Sequence, residues 1–137
     1  RAYFASCRPF GSFPEFLILG ETLHPPAVRC AEREEWFEPK RADNATAKTA
    51  ADRRPVPGLP CVLAGRFAAP DGRTGTILVN ATPGPQRATV TTVERGRPAA
   101  LHRADKSIET TWDALPAELE IDLEPFGSRM LIAGPSR

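Results

Sequence analysis

The chain has 137 residues and a formal net charge of +1, with eighteen basic and seventeen acidic side chains interspersed along it. One core of ordinary size fits this length and two do not. The even charge argues against nucleic acid as the main partner, and no apolar run approaches the ~20 residues needed to span a bilayer.

Fifteen prolines and ten glycines against one methionine describe short extended segments separated by turns, since proline removes a backbone donor and both residues favour turns. The chain opens Arg1-Ala2-Tyr3-Phe4, without an initiator methionine or the order of a signal peptide, and is expected to be the tail of a longer product. Aromatic and aliphatic residues are dense from Arg1 to Leu19. Phe13 to Leu19 reads as a short helix, with Ser12 as its cap, Pro14 in its first turn and Gly20 at its end. Pro25-Pro26 then forces an extended or turning chain.

Ala27 to Arg33 permits a short strand, and charges crowd Glu32 to Glu38 around Trp36 and Phe37. Pro39 to Pro60 has no sustained period and reads as a long loop with room for one edge strand. The clearest signal starts at Cys61. The apolar run to Ala68 stops at Pro70-Asp71-Gly72, and Thr74 to Asn80 folds back as the second strand of a hairpin. After Thr82-Pro83-Gly84-Pro85, the Thr- and Val-rich stretch Gln86 to Val93 is expected to pair with the strand before it and complete a meander.

Weaker strands follow at Ala99 to His102 and Ser107 to Trp112. Leu119, Ile121 and Leu123 then alternate with Glu118, Glu120, Asp122 and Glu124, which predicts a strand with one wet face. Ser128 to Ala133 closes the chain with an apolar strand. Strands every ~8 to 12 residues between Pro/Gly turns predict an all-β fold, an antiparallel β-sandwich with a short N-terminal helical stub. The expected division is a stub over 1–26 and the sandwich over 27–137.

Phe13-Pro14-Glu15-Phe16-Leu17-Ile18-Leu19-Gly20-Glu21, followed by Leu23 and Pro25-Pro26, resembles the junction after the catalytic (β/α)8 barrel of bacterial glycoside-hydrolase-like proteins. Ala69-Pro70-Asp71-Gly72-Arg73, Ile77-Leu78-Val79-Asn80 and Glu118 to Ile132 resemble the C-terminal all-β domain of such proteins. The resemblance implies a non-catalytic accessory domain whose partner is an upstream barrel of the same chain, with the catalytic carboxylates on that barrel. No catalytic residue carries over to any position here.

The residues themselves agree with an absence of catalytic, cofactor-binding or metal residues. Glycoside hydrolysis needs two carboxyl groups across a cleft, one with a raised pKa, and the carboxylates of 118–124 read more simply as a solvated strand face. Glu15 favours a helix N-terminus. His24 and His102 lack ligand-spaced partners, and Cys7, Cys30 and Cys61 have no zinc-site spacing.

Trp36 and Trp112 are the candidates for stacking on a sugar ring, with Tyr3 and Phe67 behind them, against core packing as the simpler reading. Asn44-Ala45-Thr46 and Asn80-Ala81-Thr82 match the glycosylation pattern, although Asn80 suits a turn-bonding role better. The alternatives to an accessory domain are an independent carbohydrate-binding module, with carbohydrate as partner, and a structural or adhesive sandwich. The first predicts an exposed coplanar aromatic pair, whereas a packing domain predicts an apolar patch near Phe10, Phe13 and Phe16.

Overall fold

The computed structural model describes residues 11–37 and 54–135. Its short helix, α1 (Pro14–Leu17), is followed by strands β1 (Glu21–Leu23), β2 (Val28–Arg29), β3 (Glu32–Phe37), β4 (Arg54–Pro60), β5 (Val62–Ala68) and β6 (Thr74–Asn80). Then come β7 (Gln86–Thr91), β8 (Ala99–Arg103), β9 (Ile108–Trp112), β10 (Glu118–Leu123) and β11 (Ser128–Ala133). The strands form a six-stranded sheet in the order β1-β5-β6-β11-β8-β9, a three-stranded sheet β10-β7-β2 and a two-stranded ribbon β3-β4. Every pairing is antiparallel, so the expected all-β sandwich is the fold.

The main core lies between the two larger sheets. Val62, Leu78, Leu101 and Leu131 from the six-stranded sheet meet Ala88, Val90, Leu119, Ile121 and Leu123 from the three-stranded one. The alternation read in β10 is the one observed: Leu119, Ile121 and Leu123 are buried and Glu118, Glu120 and Asp122 are exposed. At Pro70-Asp71-Gly72 the hairpin turn forms as expected. Gly72 takes a φ of +88°, and Asp71 Oδ1 accepts the Arg73 amide at 3.0 Å.

The meander is not what forms. β7 leaves its hairpin neighbours and pairs with β10 and β2 in the other sheet. The reason is the segment between β6 and β7, where a proline-rich stretch cannot make a two-residue hairpin and is fastened by Asn80 instead. Asn80 is fully buried. Its Nδ2 donates to Gly84 O at 2.7 Å and Glu124 O at 3.0 Å, and its Oδ1 accepts from the Thr82 amide at 2.9 Å and the Thr82 hydroxyl at 2.7 Å. A buried amide with its bonds filled holds the crossover between sheets.

Part of the expected long loop is strand β4, Arg-Pro-Val-Pro-Gly-Leu-Pro, paired with β3. A two-stranded ribbon is all edge, so its prolines remove few ladder bonds. α1 ends at Leu17 rather than Leu19, and Ser12 does not cap it: no side-chain cap is present, and Ser12 Oγ donates across to Ala104 O at 2.5 Å.

That bond marks the second core. Residues 12–20 lie as a strap across the outer face of the six-stranded sheet, where Phe13, Phe16, Ala69 and Met130 are buried together with Phe67, Ile77 and Ile132 packed against them. A Cβ at Gly75 would stand 2.7 Å from the Phe16 ring and 3.2 Å from Met130 Sδ, so only glycine lets the ring lie on the sheet. Phe13 meets the His102 ring edge-on at 5.9 Å, and the Arg73 guanidinium sits 5.2 Å from the Phe16 ring centroid. The strap continues into β1, which extends the sheet beside β5. The apolar patch expected of Phe13 and Phe16 is therefore spent inside the chain, and Phe10 lies outside the described residues.

Candidate functional site

The solvent face of β10 carries the carboxylates singled out in the sequence. Arg29 Nη2 reaches Glu118 Oε1 at 3.3 Å, and Arg87 holds Asp122 through Nε at 2.7 Å and Nη2 at 3.2 Å. The hydrogen bond from Arg87, reinforced by its charge, keeps the Asp122 carboxyl below its ordinary range. Beyond the strand, Glu124 receives Arg129 Nη1 at 3.0 Å and Nη2 at 2.9 Å, while Glu109 receives Arg129 Nε at 2.6 Å. Glu124 is also pushed down, chiefly by the Arg129 hydrogen bond. Burial disfavours the Arg129 charge, but the hydrogen bonds it donates to Glu124 and Glu109, with their charges, outweigh it and its pKa rises.

Arginine holds Asp122 and Glu124 toward their ionised form. A general acid for glycoside cleavage needs the opposite shift. Glu109, Arg129 and Glu124 together tie β9 to the turn between β10 and β11, which is a structural task. A second buried pair escaped the sequence reading: Arg66 Nε meets Glu94 Oε1 at 2.5 Å, with Glu94 only 3% exposed. It fastens β5 to the turn after β7, and no local pattern around Glu94 announces a residue 28 positions away.

The other singled-out residues lie apart. Trp112 ends β9 opposite Ala99 and packs half-buried against the main core. Trp36 lies in β3 opposite Pro55, its side chain outside the described residues, as is Tyr3. Phe67 is half-buried beneath the strap. Glu15 pairs with Arg73 at 3.8 Å. His24 is exposed with Nδ1 at 2.8 Å from Pro25 O, and His102 Nδ1 lies 3.2 Å from Lys106 O. Cys30 is half-buried and Cys61 buried, both as free thiols, while Cys7 and Asn44 lie outside the described residues. Buried Asn80 offers no amide to a glycosyl group.

The described residues also form a depression that the sequence did not single out. Arg95, Gly96, Arg97, Pro98, Asp113, Gly134 and Pro135 line a volume of about 800 Å³. Backbone bonds run from Gly96 N to Leu115 O at 2.7 Å, from Leu115 N to Arg97 O at 2.8 Å and from Gly134 N to Pro98 O at 2.9 Å.

No family model matches the chain, and no curated protein matches it. Among solved structures it is similar to the crystal structure of a Bacillus halodurans C-125 protein provisionally assigned as an α-N-acetylgalactosaminidase. The two share 21% identity with a TM-score of 0.44, over 56% of this chain and 18% of that chain. This chain thus spans less than a fifth of that neighbour's length.

Proposed function

We propose that this chain is a non-catalytic accessory β-sandwich of a glycoside-hydrolase-like protein, which packs against a preceding catalytic barrel and stabilises it. The observation that carries the reading is the strap. Its aromatic residues Phe13 and Phe16 pack the segment onto the outer sheet face, yet Ile18 and Leu19 near its end stand 63% and 70% exposed. An adjacent apolar pair at the end of a packed entry segment is suited to burial under a neighbouring domain. The sequence resemblance at Phe13 to Glu21 supports the identity of that neighbour, and the lowered carboxyls of Asp122 and Glu124 support a non-catalytic role.

Reading the coding sequence upstream of Arg1 tests the proposal. An extension of ~250 residues with carboxylates at strand ends is the expected result. A start codon or secretion signal directly before Arg1 would sink it and favour a free-standing binding or adhesive domain.

A further inference from the structure

We infer that the depression between the Arg95–Pro98 turn, Asp113 and Gly134–Pro135 is a binding site for a hydroxyl-rich ligand of disaccharide size. Arg95 and Asp113 carry opposite charge and line the same depression, both exposed. Neither makes an ion pair or side-chain hydrogen bond among the described residues. Elsewhere on this surface such neighbours close on each other, as Arg87 and Asp122 do at 2.7 Å. Here a gap is left between them.

The gap has a hydrogen-bonded frame. Gly134 N donates to Pro98 O, Gly96 and Arg97 are bonded through their backbones to Leu115, two residues past Asp113, and Arg97 Nη1 donates to Gly134 O at 2.9 Å. A preformed site spares the ligand the cost of ordering a loop. Carboxylate and guanidinium are complementary to vicinal hydroxyls, the first accepting and the second donating. Pro98 and Pro135 add apolar ring surface against which C–H groups can rest, and Gly96 and Gly134 leave the backbone approachable. A volume of about 800 Å³ falls within the range of small-ligand sites, about 300–1,000 Å³. An amino-acid zwitterion could also bridge the two charges, but it would leave most of that volume empty.

The inference does not rest on the accessory-domain reading, because the lining residues named all belong to this chain. Titration of the full ¹⁵N-labelled chain with cellobiose, lactose and diacetylchitobiose, and with glutamine as the zwitterion, tests it by amide shifts. The expected result is saturable movement of Gly96, Asp113 and Gly134 with at least one disaccharide. R95A and D113A should each weaken that binding about tenfold while leaving the thermal midpoint unchanged, since both side chains are exposed. No saturable shift from any disaccharide, shifts confined to another face, variants that bind like the parent, or tighter binding of glutamine would each overturn it.

Discussion

Replacing Phe16 with alanine removes the centre of the strap. The ring is fully buried against Gly75 and Met130, and truncating a buried phenylalanine costs about 3–5 kcal/mol. Loss of the Arg73 contact at 5.2 Å adds roughly 0.5–1 kcal/mol. Against a total of about 5–15 kcal/mol for a domain, this is a large fraction, and it translates to a fall in thermal midpoint of roughly 10–20 °C at this chain length. Urea unfolding followed by circular dichroism measures it.

The companion substitution Gly75→Ala sharpens the test. A methyl group 2.7 Å from the ring must displace it, so the change is destabilising in the parent chain and much less so in F16A, where the ring is gone. The double-mutant cycle should show coupling above about 0.5 kcal/mol. A cost for F16A below about 1 kcal/mol, or strict additivity of the two, would refute the account of the strap.

Asn80→Ala breaks four good hydrogen bonds and should cost about 2–6 kcal/mol at about 0.5–1.5 each; Asn80→Asp should be no milder, because it turns a carboxylate oxygen toward carbonyl acceptors. Both are read by chemical denaturation. Glu94→Gln leaves the Arg66 guanidinium buried without its counter-charge and should cost about 3 kcal/mol, measured the same way. Asp122 and Glu124 have folded pKa values below their unfolded ones, so their contribution is present above about pH 4 and is lost as pH falls through the folded values. Midpoints taken from neutral to acid pH should fall in that window, and Glu124→Gln should make the fall shallower.

How far these features could be read in advance depends on the range over which their causes act. The β10 alternation and the Pro70-Asp71-Gly72 turn are local, and both were legible. β7 was misjudged because strand partnership after a proline-rich connection is decided by Asn80 reaching Glu124, 44 positions away. The β3–β4 ribbon was obscured because an exposed two-stranded ribbon has no buried face to impose a period. The strap did leave a signal: β6 and β11 are buried on nearly every residue, and such unbroken runs mark a sheet covered on both sides. Arg95 and Asp113 are brought to one depression only by topology, so neither stood out in the sequence.

The most direct test of the central claim is hydrogen–deuterium exchange, comparing this chain alone with the same residues inside a longer parent that carries the proposed preceding domain. The account predicts added protection at Ile18, Leu19 and Gly20 in the parent, where a neighbouring domain covers them, with the main core unchanged. Equal exchange at those three positions in both proteins would contradict it, because nothing would then be packed against the exposed pair Ile18 and Leu19.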